Sequence, residues 1–182
     1  MKLGDAAHKK RYGITLLEII FALALVVLLT SSVAFVYTVV LRSWDQIGHR
    51  SDLHERLYFA LERVIRDARA ANALSVANHS LRFTVNENGA DQSYIYYLYN
   101  SSDSWVPQYS QATYDLMRTS LTGGVGGSFT YGSGEIVVKS LKPPSADTTI
   151  TSSANVVFIN LVGKEKNDTM KVRGYVRPRN IL

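Results

Sequence analysis

The chain of 182 residues has no cysteine. That excludes a disulfide framework and any thiolate metal site, without assigning the chain to a compartment. Proline is scarce too, four in all, and none falls between Ile14 and Ala73, so nothing there forbids a long helix. Charge is missing from one continuous stretch: all 23 residues from Ile19 to Leu41 are uncharged, and most are Ile, Leu, Val, Ala or Phe. As a helix this run spans roughly 35 Å, enough for a hydrocarbon core of about 30 Å with some tilt. No acidic excess exists; the net charge is +5. Lys2, Lys9, Lys10 and Arg11 against Asp5 put +3 of that in the first thirteen residues. The pI near 9.4 is therefore largely set by the N-terminal segment and is weak support for a nucleic-acid partner. Positive charge directly before an apolar span reads instead as a cytoplasmic flank, with the remainder of the chain exported.

Three readings compete for residues 1–41. A secretory signal peptide has an apolar core of about 7–15 residues followed by a small-residue cleavage site. Thr30-Ser31-Ser32 offers small residues, but the apolar run continues through Val33, Phe35 and Val39. A plain signal anchor fits the length but gives no reason for Gly13 or for the lone carboxylate of Glu18 at the edge of the run.

The third reading explains both. Gly13-Ile14-Thr15-Leu16-Leu17-Glu18, behind a basic leader and ahead of an unbroken apolar run, resembles the prepilin cleavage motif of type IV pilins and type II secretion pseudopilins. The resemblance implies that a prepilin peptidase cuts between Gly13 and Ile14, that Ile14 becomes the N-methylated terminus, and that Glu18 is the fifth residue of the mature chain. The family's usual first residue is Phe, from which Ile14 is a tolerated departure. The resemblance also supplies a partner for Glu18, the terminal ammonium of a neighbouring subunit. A carboxylate at mid-bilayer costs roughly 2.5–3.5 kcal/mol. Near the end of a span the cost is smaller, and in the first turns of a helix the dipole favours a carboxylate by about 0.3–1 kcal/mol.

From Arg42 the composition changes. Leu53, Leu57, Ala60, Leu61, Val64, Ile65 and Ala68 recur at 3.6-residue spacing, a single apolar stripe. Arg56, Arg63, Arg66 and Arg69 between them read as a solvated face with intrahelical pairs, of which Glu62–Arg66 has the favourable order. Gly48 is the one weak point, at about 1 kcal/mol relative to Ala. His49 and His54 are five apart and do not share a helix face, so no metal site is expected.

Residues 74–182 lack helical periodicity and read as strands separated by turns. Segments 81–87 and 93–100 flank Asn88-Gly89, a strong hairpin signal. Segments 135–141, 155–161 and 169–176 are three more, the last two joined by a polar turn at 162–168. Segment 114–121 fits a short strand or a helical turn. The glycine-rich stretch 122–134 has no phosphate-loop context and reads as a flexible or close-packed surface loop. Segment 142–154 reads as a polar linker, and Pro143-Pro144 bars a central strand there. Tyr94 and Tyr96 belong to one strand face, Tyr97 and Tyr99 to the other, as packing residues. No nucleophile elbow and no calcium-loop spacing appear, so neither an enzyme nor a metal or cofactor is expected.

The fold expected is α+β, a long N-terminal helix packed on an antiparallel sheet of about four to six strands. Residues 1–13 are the removed leader, 14–41 the transmembrane or fibre-core helix, 42–73 an amphipathic helix and 74–182 a β-rich globular part. Residues 60–72 (ALERVIRDARAAN), 93–100 (SYIYYLYN), 116–121 (LMRTSL) and 171–180 (KVRGYVRPRN) are similar to the PilW-like minor pilins and the J-type minor pseudopilins. The implied function is structural, as a subunit of a pilus or pseudopilus in the inner membrane with its C-terminal part in the periplasm. Its partners would be other pilin or pseudopilin subunits, the prepilin peptidase and the assembly platform, with no nucleic acid. The alternative is a displayed binding module, an adhesin or DNA receptor, supported by the six basic residues against two acidic ones in residues 164–179.

Overall fold

The computed structural model describes residues 15–104, 109–144, 147–166 and 168–179. One helix, α1 (Leu16–Ala70), precedes eight strands: β1 (Ala73–Ala77), β2 (Ser80–Glu87), β3 (Ala90–Tyr99), β4 (Tyr114–Ser120), β5 (Glu135–Leu141), β6 (Thr149–Ser153), β7 (Val156–Glu165) and β8 (Asp168–Val176). The fold is α+β. The chain divides into two compact units, Met1–Gln46 and Ile47–Leu182. In the first, every side chain from Thr15 to Asp45 is exposed, and the helix is long and apolar enough to cross a membrane.

In the second unit all strands pair antiparallel. The path runs β1-β2-β3-β4-β5-β7, with β6 and β5 sharing one side of β7 and β8 on its other side. β6 and β1 approach one another, so the sheet curls. The β2–β3 turn is Asn88-Gly89, both at positive φ (55° and 83°) between the paired Glu87 and Ala90. That is a two-residue turn of the type whose twist matches the strands it joins.

The stripe read from the sequence is the helix's buried face. Leu53, Leu57, Ala60, Leu61, Val64 and Ala68 are buried and Ile65 partly so. They meet Leu81 and Phe83 of β2, Tyr96 and Leu98 of β3, Leu116 of β4, and Ile159 and Leu161 of β7 in one core. Each large side chain withdrawn from water contributes about 1.5–3 kcal/mol, and most helical stability comes from such packing rather than from propensity. Two glycines let the helix lie this close. A Cβ on Gly163 of β7 would sit 2.8 Å from Leu53 Cδ1 and 2.9 Å from Leu57 Cδ1. One on Gly174 of β8 would sit 2.6 Å from Ile65 Cδ1 and 3.1 Å from Leu61 Cδ1.

Polar contacts fix the helix along the sheet. Asp67 accepts from the Tyr96 hydroxyl at 2.7 Å and from Arg118 Nε at 3.2 Å. The Arg118 guanidinium lies over the Tyr94 ring, 3.8 Å from its centroid. Arg50 pairs with Asp168 at 2.9 Å, Arg56 with Asp52 and with Glu165, and Arg63 with Glu135. These outer pairs are exposed, so they set register more than stability. Burial first, and then the bond to Asp67, pushes Tyr96 well above the usual tyrosine range.

Four expectations differ from the structure. The sheet has eight strands rather than four to six, because β1 and β6 are short five-residue edges with weak patterns. β6 occupies residues read as linker, with only Ile150 buried. The polar turn at 162–168 is mostly strand: Val162 to Glu165 pair with Lys171 to Asp168. Glu62 raises the pKa of the neighbouring Tyr58 hydroxyl and forms no ion pair with Arg66 among the described residues. Segment 114–121 resolves as strand β4.

Gly174→Val should lower the unfolding free energy by about 1–3 kcal/mol, the usual penalty for overpacking, read by urea denaturation in neutral detergent. An unchanged midpoint would mean that Leu61 and Ile65 move aside freely. Tyr96→Phe should cost about 1 kcal/mol at neutral pH. It should also flatten the alkaline limb of stability. Tyr96, with Tyr109 and Tyr114 pushed up by burial to about 12, keeps its proton folded where the unfolded chain releases it above about pH 10. Stability is therefore full below that value and falls as pH rises through the folded values.

Candidate functional site

The residues singled out by the sequence are Gly13, Ile14 and Glu18. Gly13 and Ile14 lie outside the described residues. Glu18 is exposed in the first turn of α1. Its N–H donates to the Thr15 carbonyl at 3.0 Å and to Thr15 Oγ1 at 3.3 Å, and the N–H of Ile19 reaches the same carbonyl at 3.3 Å. Thr15 is thus the N-cap, its hydroxyl and carbonyl meeting the first free amides of the helix, and Glu18 stands three positions on. The pattern Thr-x-x-Glu ahead of an apolar run is the sequence signature of a capping box, of which the Thr15 half is formed.

Beyond Glu18 the helix carries no charge until Arg42, but it carries serine and threonine hydroxyls, and each of those from Thr30 to Ser43 closes on its own backbone. Thr30 Oγ1 reaches the carbonyls of Val26 and Val27 at 2.9 and 3.0 Å. Ser31 and Ser32 reach those of Val27 and Leu28 at 2.7 and 2.8 Å. Thr38 reaches Phe35 at 2.8 Å, and Ser43 reaches Val39 at 2.9 Å. Such back-bonding leaves no serine or threonine proton unmet along these turns, as a segment apolar enough to cross a membrane requires. Residues 30–32, which looked like small-residue punctuation, are therefore helix interior without an unmet donor.

The remaining candidate groups are engaged in packing. His54 stacks on Tyr58, with centroids 6.3 Å apart, while His49 lies 3.0 Å from Lys166 Nζ and 3.9 Å from Glu165. Among the described residues no group of three His, Cys, Asp or Glu side chains could hold a metal ion. Tyr94 and Tyr96 pack under the helix. Tyr97 and Tyr99 lie on the opposite face with Tyr131 and Phe129 of the glycine-rich stretch. The Tyr97 hydroxyl donates to the Ser133 carbonyl at 2.7 Å and accepts from the Gly132 N–H at 3.1 Å. Of the two readings of that stretch, the close-packed loop is the one observed.

No family model, no curated protein and no solved structure matches the chain.

Thr15→Val should fray the first turn, at about 1 kcal/mol for a lost cap. Hydrogen exchange in detergent micelles should accelerate at the amides of Glu18 and Ile19 and stay unchanged at Val26 and beyond. Thr15→Ser should behave like the parent chain.

Proposed function

We infer that this chain is a structural subunit, of the minor class, in a type IV pilus or type II secretion pseudopilus. It is cut after Gly13 and N-methylated at Ile14 by a prepilin peptidase, then assembled through its N-terminal helix. One observation carries the reading: the membrane-length apolar part of α1, up to Leu41, has Glu18 as its only charge, in a capped first turn five residues after Gly13. Lys9, Lys10 and Arg11 on one side of the span, and Arg42 with the exposed Trp44 on the other, are the flanks of a single-pass span with its N-terminus inside. The strands then belong in the periplasm. The α+β fold of residues 47–179, an amphipathic helix on an antiparallel sheet, is compatible with the pilin plan.

The charge has a stated task. In an apolar fibre core, the Ile14 ammonium of one subunit needs a counter-ion, and Glu18 of a neighbour supplies it. An ammonium left without one costs roughly 3–5 kcal/mol when fully buried, so the pair selects one axial register over others.

Intact-mass analysis of membrane-extracted protein should show loss of residues 1–13 and one added methyl group. A mature terminus beyond Thr30 would overturn the reading. Glu18→Gln then separates charge from cap, since Gln serves a capping box as Glu does. Membrane levels should hold or rise, because a charge has left an apolar helix, while recovery in sheared fibres falls. Normal recovery would remove the pairing role of the Glu18 charge.

A further inference from the structure

The C-terminal half of the helix and strand β8 enclose a groove of about 1110 Å³, lined by Tyr58, Phe59, Arg66, Arg69, Arg173 and Arg179 among others. Five arginines line it; one, Arg63, holds Glu135, and the other four differ from nearly all others in residues 47–179. Arg50, Arg56, Arg63 and Arg118 each hold a carboxylate, and Arg82 holds the carbonyls of Val125 and Gly127. Arg66, Arg69, Arg173 and Arg179 hold no ion pair or hydrogen bond among the described residues, and all four line this one groove. Arg177, also without a partner, is exposed outside it. Glu62 is the sole acid in the groove lining.

Two further features define the occupant. Tyr58 and Phe59 are about half exposed (48% and 60%), apolar surface that an anchoring side chain would cover. Strand β8, which gives Arg173 to the groove lining, pairs among the described residues only with β7, so its other edge keeps backbone donors and acceptors for a further strand. A nucleic-acid backbone makes no use of a strand edge; a polypeptide does. Planar guanidinium groups match carboxylates two bonds at a time.

We propose that this groove binds an extended, acidic polypeptide segment of another chain, which adds to β8 as a strand while its carboxylates take Arg66, Arg69, Arg173 and Arg179. The inference does not depend on how the N-terminus is processed.

The probe is a short fluorescent peptide alternating Glu and Val with a central Phe, titrated with the full chain in neutral detergent. Saturable binding that weakens with salt is expected. The double variant Arg66→Ala/Arg69→Ala should lose about tenfold or more in affinity, or roughly 1.4 kcal/mol. Arg173→Ala should weaken binding too, while Arg177→Ala should match the parent. Far-UV circular dichroism checks that each variant is folded. Bound peptide should slow amide exchange along β8. The proposal is overturned by absence of binding, by equal loss in Arg177→Ala, or by unchanged exchange in β8 on binding. Tighter binding of single-stranded oligo(dT) at equal charge would overturn it in favour of a nucleic-acid site.

Discussion

Leucine packed on glycine is the contact on which the C-terminal unit depends. At Gly163 and Gly174 the absent side chains make room for Leu53, Leu57, Leu61 and Ile65. The helix can then lie near enough to the sheet for Asp67 to receive both the Tyr96 hydroxyl and the Arg118 guanidinium. A helix held farther off by a methyl group would separate those partners, and a half-satisfied buried network is worse than none. The ion pairs of Arg50 with Asp168 and Arg56 with Glu165 lie at the β7–β8 turn, near the Gly163 crossing. Being exposed, they follow from the packing rather than cause it.

The opposite face of the sheet faces a similar problem with a different solution. Ile95, Tyr97, Met117 and Leu121 would be bare there but for the glycine-rich stretch folded over them. Tyr97 holds that stretch by its hydroxyl to Ser133 and Gly132, and its ring meets Phe129 and Tyr131 with centroids 4.9 and 5.5 Å away. The alternating tyrosines of β3 thus serve two cores, Tyr96 the helix side and Tyr97 the loop side. This is what period-two geometry dictates for neighbouring residues of one strand.

What could be read beforehand divides along physical lines. The apolar stripe from Leu53 to Ala68, the Asn88-Gly89 turn and the two-faced β3 were legible because each depends on local period or local turn chemistry. β6 was hidden because four of its five residues are Thr or Ser and only Ile150 is buried; its strand character comes from pairing with β7. Gly163 and Gly174 could not be told from other glycines, since their meaning lies in what crosses above them. The groove arginines Arg66 and Arg69 looked like any solvated helix face. What separates them from Arg56 and Arg63 is that those two reach carboxylates of the sheet, Glu165 and Glu135. Of the N-terminal site, Glu18 was evident from being alone, whereas the cap at Thr15 was overlooked although its four-residue signature was present.

That cap changes what Glu18 must explain. A carboxylate in the first turn gains about 0.3–1 kcal/mol from the helix dipole, and the Thr15 cap contributes about 1 kcal/mol more to the same turn. Together these suffice to account for a Thr-x-x-Glu start in water or at a membrane surface. They do not account for an acid standing where every later residue to Leu41 is uncharged and every serine and threonine hydroxyl from Thr30 to Thr38 folds back on its own backbone. A helix end that needed only capping would be served by Gln at no electrostatic cost to insertion. The negative charge itself gains value where the dielectric falls, because there its attraction to a cation strengthens with the loss of solvent screening. Capping sets where the helix begins, and on the proposed assembly the charge acts when a second chain brings an ammonium to it.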